Sequence, residues 1–328
     1  MGLNSLTVFV GKGSPVKLMR RIAALGLGVA LAVGISGGTA AVAHANPGGN
    51  GFADWWTELG LPGPAPDVAL PPGLLPPPAP QTPGAPHVPG PVAPAPFTSA
   101  GINPAAGELV GVAQPVIINF PAPISDRAAA ERAISVTSAP PVSGRFIWFS
   151  NSQVRWRPHE FWPAHAQVSV VAGPSRSNFR TGDATISVAD DVTKTITVTR
   201  NGQVVRTMPV SFGKDRTPTP NGTYIIGERH RHMVMDSSTY GVPVDSPDGY
   251  RIDVEYATRM SNSGIFVHAA PWSLQHQGVR NVSAGCLNVS TDDARWFYEN
   301  TRKGDPVIVR NTIGGRLNGW DGLGDWML

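Results

Sequence analysis

The 328-residue chain is 41% hydrophobic and only 15% charged, and it contains 37 glycines and 33 prolines. This length allows about two domains beside a leader and a linker, and the composition favours β-rich domains over a helical bundle. The formal net charge is +3, and without Lys/Arg runs it argues against nucleic acid as a partner, because such proteins concentrate positive charge on one face.

Residues 1–45 have the pattern of an export signal. Basic residues up to Arg21 precede an apolar run from Ile22 to Ile35, and Ala43-His44-Ala45 resembles a cleavage site. The alternative is an uncleaved membrane tether, and Met19 is an alternative start. In both cases we expect the rest of the chain to be exported to the periplasm or the cell wall.

Residues 46–99 predict a Pro-rich tether. It begins with Trp55 and Trp56 in a short patch that would either touch a lipid or partner surface or dock as a terminal helix. From Leu61 to Pro96 the chain is rich in proline and should sample extended polyproline conformations. At ~3.1 Å per residue, this segment would reach on the order of 100 Å.

Residues 100–183 predict a β-sandwich, because short strands alternate with Pro, Gly and Asn turns. One helical segment, Asp126 to Ala133, interrupts them. We see no cluster of titratable groups here, which indicates a structural spacer. The predicted strands are Val116–Phe120, Ile134–Ser138, Arg145–Ser150, Gln153–Pro158 and Gln167–Gly173.

Residues 184–312 predict a second β-rich domain. Its first element is a hairpin with Asn201-Gly202 in the tight turn. A helix, with Ser290 or Thr291 as its N-cap, precedes the last strand. Residues 313–328 form a tail that we expect to pack on this domain. The predicted elements are the hairpin Thr195–Gly213, a strand within Thr217–Gly227, a strand Gly264–Ala270, a helix Asp292–Asn300 and a strand Asp305–Asn311.

The candidate chemistry lies between Gly264 and Ser290. Cys286, the only cysteine, follows Gly285 in a turn whose backbone amides could bind an oxyanion. His268, at the end of an apolar strand, could deprotonate the thiol. An inert core cysteine and a structural histidine are the alternative, and the residues alone leave both open. Elsewhere, two histidines at strand spacing, His230 and His232, are a weak metal site without a third ligand and more typical of a solvated strand face.

Six strings along the chain occur together in this order: WRPHEFWPA from Trp156, TPNGTYIIG from Thr219, MDSSTYGVPVDSPDGY from Met235, VHAAPWS from Val267, GCLNVS from Gly285 and DGLGDW from Asp321. They resemble the L,D-transpeptidase family with a YkuD-type catalytic domain, in its mycobacterial form with an immunoglobulin-like domain ahead of the catalytic one. The resemblance covers about residues 100 to 326. The fold that it implies is mainly β, an immunoglobulin-like β-sandwich followed by the β-rich catalytic domain.

The resemblance implies a role for each matching residue. Cys286 would be the nucleophile, His268 the general base, Ala269 the residue whose backbone carbonyl orients the imidazole, and Gly285 part of the oxyanion turn. The family usually has serine where Ala269 stands and histidine where Ala284 stands, so one donor and one titratable group are missing. The implied substrate-binding residues are Met235, Tyr250, Phe266, Trp272, Ser283 and Asn288, with a core role open for Met235 and Phe266.

The implied activity is peptidoglycan cross-linking through a Cys286 thioester. The donor would be a tetrapeptide stem, and the product a 3→3 link between two diaminopimelate residues. Carbapenems should acylate the thiol, and neither a cofactor nor a metal is required. The alternatives are an L,D-carboxypeptidase, attachment of a protein to the wall, or a wall-binding homologue with weakened catalysis. An activated thiol should react quickly with iodoacetamide below pH 7.

Overall fold

The computed structural model describes residues 95–328. The predicted export signal, the Trp55-Trp56 patch and nearly all of the predicted tether lie outside the described residues. Across residues 95–328, none of the helices has the length and apolar character needed to cross a membrane.

Eight strands build an N-terminal sandwich of two four-stranded sheets, with strand orders β1-β3-β6-β5 and β2-β8-β7-β4. All neighbours are antiparallel except β2 and β8. The strands are β1 (Gly101–Asn103), β2 (Leu109–Val110), β3 (Val116–Asn119), β4 (Ile134–Ala139), β5 (Gly144–Ser150), β6 (Gln153–Pro158), β7 (Gln167–Ala172) and β8 (Ser175–Thr181).

The sandwich core follows from alternation along the strands, since successive side chains point to opposite faces. In β7 this alternation buries Val168 and Val170, and Phe161 and Trp162, from the segment between β6 and β7, are almost completely buried in the same cluster. The predicted helix is α1 (Arg127–Arg132), and Asp126 caps it by accepting from the Ala129 N–H at 2.9 Å.

The C-terminal domain contains a five-stranded sheet, β11-β10-β9-β17-β12, and a four-stranded sheet, β13-β14-β15-β16. Parallel pairs join β9 to β17 and β15 to β16. The elements are β9 (Thr185–Asp190), β10 (Thr195–Arg200), β11 (Gln203–Pro209), β12 (Gly222–Ile225), β13 (Arg229–Asp236), β14 (Arg251–Arg259), β15 (Phe266–Ala269), β16 (Leu287–Val289), α2 (Thr291–Asn300) and β17 (Pro306–Arg310).

Local signals explain how these elements begin and turn. Asn201 and Gly202 both have positive φ, at 50° and 82°, as the tight hairpin turn between β10 and β11 requires. Ser290 is the N-cap of α2 and accepts from the Asp293 N–H at 3.1 Å. The β9 and β17 strands are buried along their whole length, so they form the centre of the five-stranded sheet.

One hydrophobic cluster extends across the two domains. Ile186, Val188, Ile225 and Ile308 of the C-terminal domain belong to the same buried cluster as Trp162 of the sandwich. Backbone hydrogen bonds add to this contact, because the Gly111 and Ala113 amides donate to the Lys303 and Gly304 carbonyls at 2.8 Å each. The sandwich is therefore packed directly against the C-terminal domain.

The tail of residues 313–328 lies along both domains, whereas the sequence suggested the C-terminal domain as its support. Trp326 Nε1 donates to the Ala113 carbonyl at 2.9 Å, and its ring meets the Phe161 ring edge-on with centroids 4.4 Å apart. On the other side, the Ile225 amide donates to the Leu323 carbonyl at 2.9 Å. The Trp326 indole of the tail therefore packs against hydrophobic side chains of the sandwich.

Candidate active site

A cavity of about 430 Å³ opens at the end of the four-stranded sheet in the C-terminal domain. Cys286 and His268 both line it, although the chain between them makes a 3-10 turn (Pro271–His276) and a further loop. The other lining residues are Lys214, Met235, Pro247, Asp248, Gly249, Tyr250, Ile252, Trp272, Ser273, His276, Val282, Ser283, Ala284 and Asn288.

Parallel pairing of β15 with β16 sets the distance between the thiol and the imidazole. His268 is paired with Asn288, and Cys286 comes directly before β16. Two residues of rise and one strand spacing separate their Cα atoms by on the order of 8 Å, within reach of two side chains. The strand register thus places His268 on β15 and Cys286 at the start of the neighbouring β16, beside one cavity.

His268 is held by the backbone of the next residue. Its Nδ1 lies 2.8 Å from the Ala269 carbonyl oxygen, which accepts only if Nδ1 carries the proton. Nε2 is then the unprotonated nitrogen of the neutral ring. His268 is only 3% exposed, and burial lowers the pKa of its imidazole to about 4, an effect that the hydrogen bond to Ala269 opposes.

Cys286 is also buried and carries its proton. Burial raises the pKa of the thiol to about 11, and a hydrogen bond from the Phe266 backbone opposes this increase. The Sγ atom lies 3.6 Å from the Gly264 carbonyl oxygen, which accepts the thiol proton. A raised pKa means that little thiolate is present below pH 7 in the free protein, and rapid alkylation by iodoacetamide there stays a prediction.

The turn before Cys286 is stabilised by its own polar atoms. The Ser283 hydroxyl donates to the Cys286 carbonyl at 2.6 Å and accepts from the Gly285 N–H at 3.1 Å. Thr219 Oγ1 donates to the Gly285 carbonyl at 2.9 Å. Gly285 has φ of 118°, which an L side chain rarely adopts. The Gly285 amide, one of the predicted oxyanion donors, is thus already occupied.

The cavity includes most of the predicted substrate-binding residues. Met235, Tyr250, Trp272, Ser283 and Asn288 line it. The Trp272 ring lies 6.1 Å from the His268 ring at an interplanar angle of 29°. The Asn288 Oδ1 is buried without a hydrogen-bond partner among the described residues. An unpaired acceptor beside a cavity is suited to a ligand N–H.

Phe266 lies in the core instead of lining the cavity. It is 4% exposed and packs with Cys286 and Met235 in a small apolar cluster, while the Arg259 guanidinium carbon lies 4.5 Å from its ring centroid. Phe266 is absent from the residues that line the cavity. Phe266 therefore packs against Cys286 as a core residue. This is the alternative that the sequence analysis left open for it.

The sequence did not single out several residues that line the cavity. Lys214 and Asp248 are charged, and Ser273 is buried with its Oγ 3.1 Å from the Ala270 carbonyl. Ala284, in the position where the family usually has histidine, is exposed at the cavity wall. Within residues 95–328, three or more His, Cys, Asp or Glu side chains do not converge as a metal site.

Comparison with known proteins agrees with this geometry. Residues 91–174 match a bacterial Ig domain, and residues 184–309 match the L,D-transpeptidase catalytic domain called YkuD. L,D-transpeptidase 1 of Mycobacterium tuberculosis is 46% identical over 219 residues, which are 67% of this chain and 87% of that relative. The chain belongs to the L,D-transpeptidase family. The predicted family and fold are confirmed.

Further comparisons also find L,D-transpeptidases that are similar to this chain in sequence and in structure. L,D-transpeptidase 2 of M. tuberculosis is 52% identical over 248 residues, which are 71% of this chain but only 61% of that relative. A solved L,D-transpeptidase in complex with imipenem is 45% identical, with 66% of this chain and 100% of that chain covered and a TM-score of 0.63. An L,D-transpeptidase from Mycobacterium smegmatis has a TM-score of 0.60 at 42% identity, covering 65% and 100%.

The low pKa of His268 predicts an unusual pH profile for this L,D-transpeptidase. A general base must be unprotonated, and kcat/KM reports the pKa of the free protein. We expect kcat/KM for carbapenem acylation to stay constant from about pH 8 to about pH 5 and to fall with an acid limb near pH 4. Stopped-flow acylation measures this profile, with circular dichroism to verify folding at each pH. An acid limb near the ordinary histidine pKa of about 6.5 would contradict it.

Proposed function

We propose that this protein is a peptidoglycan L,D-transpeptidase that forms 3→3 cross-links between diaminopimelate residues through a thioester on Cys286. The observation that carries the proposal is the shared cavity of Cys286 and His268, with His268 Nδ1 bound to the Ala269 carbonyl. That hydrogen bond leaves Nε2 as the base. Membership of the family supports the same assignment.

The first half-reaction transfers an acyl group to sulfur. Cys286 Sγ attacks the carbonyl carbon at the L-centre of diaminopimelate, while His268 Nε2 accepts the thiol proton. The C–N bond to the terminal D-Ala then breaks as His268 returns that proton to the departing amine. The His268 imidazole and the Cys286 thiol are both neutral in the free protein. Charge separation therefore develops only as the thiol attacks, and the site can stabilise it in the transition state without stabilising the ground state.

The oxyanion of the tetrahedral intermediate requires donors from the turn before β16. Because the Gly285 N–H donates to Ser283 Oγ, we assign this role to the Cys286 amide. Positive φ at Gly285 orients the peptide that follows it. Asn288 Oδ1, buried and unpaired among the described residues, would accept an N–H of the donor peptide.

The second half-reaction selects between cross-linking and hydrolysis. The side-chain amine of a second diaminopimelate attacks the thioester, the C–S bond breaks, and the sulfur regains its proton through His268. Water at the same carbon would give an L,D-carboxypeptidase, and a protein amine would attach that protein to the wall. A cavity of about 430 Å³ is within the range for small-ligand sites, and its open mouth suits a large acceptor.

Carbapenems should acylate the same thiol by opening the β-lactam ring. The solved relatives include a complex with imipenem and a complex with a faropenem-derived adduct. For this protein we propose a covalent adduct on Cys286. We also propose that the protein is exported to the cell wall, either free after cleavage or tethered to the membrane through residues 1–45.

The test is incubation of the purified protein with disaccharide-tetrapeptide, followed by separation and mass spectrometry of the products. We expect release of D-Ala and a dimer whose peptides are joined 3→3, with neither product from the Cys286→Ala protein. D-Ala release without a dimer would favour the carboxypeptidase. A folded protein that binds peptidoglycan but releases no D-Ala would overturn the proposal in favour of a wall-binding homologue.

A further inference from the structure

Two charged side chains that line the cavity, Lys214 and Asp248, form an ion pair that has no part in the proposed acyl transfer, and Arg216 joins them from outside the cavity. Lys214 Nζ donates to Asp248 Oδ1 at 3.0 Å, and an Arg216 guanidinium N–H donates to the same oxygen at 2.7 Å. Lys214 and Asp248 line the cavity together with Cys286. One carboxylate oxygen thus binds two cations beside the nucleophile.

The backbone of Lys214 is fixed to the nucleophile turn. Its N–H donates to the Ser283 carbonyl at 2.9 Å, three residues before Cys286. The preceding Gly213 fits closely, because a Cβ there would lie 2.1 Å from the Thr217 carbonyl oxygen and 2.9 Å from Gly285 Cα. The backbone of Lys214 is therefore fixed relative to the turn that carries Cys286.

Asp248 lies on a different segment of the cavity lining, the loop between β13 and β14. The Ser237 N–H donates to the Tyr250 carbonyl and the Tyr250 N–H donates to Ser237 Oγ, both at 2.9 Å, which closes the base of the loop. A Cβ at Gly249 would lie 2.0 Å from the Pro243 carbonyl oxygen, so this part of the loop is tightly folded. The ion pair of Asp248 with Lys214 thus joins this loop to the segment that carries Lys214.

The contact between Lys214 and Asp248 is suited to exchange. The Lys214 and Asp248 side chains are 34% and 36% exposed, and ion pairs with such access to water are weakly stabilising. Arg216, which is 68% exposed, can hold Asp248 after Lys214 leaves it. The neighbouring Asp215 is exposed and does not line the cavity. A ligand carboxylate can therefore form an ion pair with Lys214 while Asp248 stays paired with Arg216.

We propose that Lys214 binds a carboxylate of the acyl donor. In the free protein Lys214 is paired with Asp248, and the donor carboxylate replaces Asp248 in this ion pair when the donor binds. The inference rests on the proposed function, in which the donor peptide ends in the carboxylate of D-Ala on the leaving side of the scissile bond. A lysine anchored three residues from Cys286 is placed to orient that end of the peptide. Lys214 is thus a specificity-determining residue, and Asp248 is its internal competitor.

The test compares two donors, a tetrapeptide with a free terminal carboxylate and the same peptide as a C-terminal amide. Binding is measured by calorimetry on protein carrying Cys286→Ala, so the readout does not depend on turnover. We expect the acid to bind about tenfold more tightly than the amide, the range of one charge-assisted hydrogen bond. Lys214→Gln should remove this preference by weakening only the acid, and Asp248→Asn should strengthen the acid a few-fold.

Two results would overturn the inference. One is equal binding of acid and amide by the protein with Lys214 intact. The other is an equal loss of both donors in Lys214→Gln and Asp248→Asn, which would mean that the ion pair only holds the loop. Arg295→Gln is the matched control, because it removes an exposed cation on α2 that does not line the cavity, and it should leave the binding of both donors unchanged. If the wild-type protein transfers neither donor but Cys286→Ala binds the acid through Lys214, then the proposed function fails and this inference stands.

Discussion

Replacing Cys286 by alanine is expected to abolish covalent acylation by a carbapenem, and replacing His268 by alanine is expected to slow it about 10²- to 10⁴-fold. The two losses differ because the thiol forms the bond, whereas the imidazole only removes its proton. With the pKa of Cys286 raised to about 11 by burial, the fraction of spontaneous thiolate near pH 7 is on the order of 10⁻⁴. The loss of carbapenem absorbance measures both rates.

The matched control for His268→Ala is His232→Ala, since His232 is a 67% exposed histidine on the outer strand β13. We expect this control to acylate at the wild-type rate. Raising the pH should partly restore the His268→Ala rate, because hydroxide then forms the thiolate that the imidazole no longer forms. A His268→Ala protein that acylates as quickly as the control would remove His268 from the mechanism.

Replacing Asp325 by alanine is expected to lower the free energy of unfolding by about 3–5 kcal/mol. Arg155 of the sandwich and Asp325 of the tail form an ion pair at 2.8 Å, with side chains 8% and 0% exposed. Burial raises the pKa of Asp325, and the Arg155 guanidinium opposes that shift. Without its partner Arg155 would be a buried, uncompensated charge. Denaturant unfolding followed by fluorescence measures the change.

An exposed ion pair provides the comparison for Asp325→Ala. The Arg295–Glu299 pair on α2 has side chains 60% and 50% exposed, so Glu299→Ala should cost less than about 1 kcal/mol. The double variant Arg155→Met with Asp325→Ala should regain part of the stability, because no unpaired charge remains. Equal effects of Asp325→Ala and Glu299→Ala would show that the buried pair does not fasten the tail to the sandwich.

Local patterns predicted much of the fold, since alternation, turn residues and capping act over a few positions. The hairpin at Asn201-Gly202 and the helix capped by Ser290 are examples. The strand β8 was missed because two of its buried residues, Ser177 and Thr181, are polar. Their hydroxyls bond to carbonyls of Pro104 and Pro163, which are distant in sequence. Such long-range partners leave no periodic signal.

The candidate site was less accessible to sequence reasoning than the fold. The motif indicated Cys286 and His268, but burial, and with it the direction of both pKa shifts, depends on how the sheets pack. Lys214 and Asp248, which form an ion pair, are 34 positions apart in the sequence. The residues around each of them do not tell whether its charged side chain lines a cavity or lies on the open surface. For Phe266, the alternation along the strand could not show whether the side chain lines the cavity or lies in the core, because every residue of β15 is buried.

The most direct test of the central claim is to stop the reaction of the purified protein and a tetrapeptide donor with acid and to map the protein by peptide mass spectrometry. We expect a tripeptide acyl group on the peptide that contains Cys286, one D-Ala released per adduct in the first turnover, and no adduct in Cys286→Ala. A folded protein that releases no D-Ala and carries no acyl group on Cys286 would contradict it.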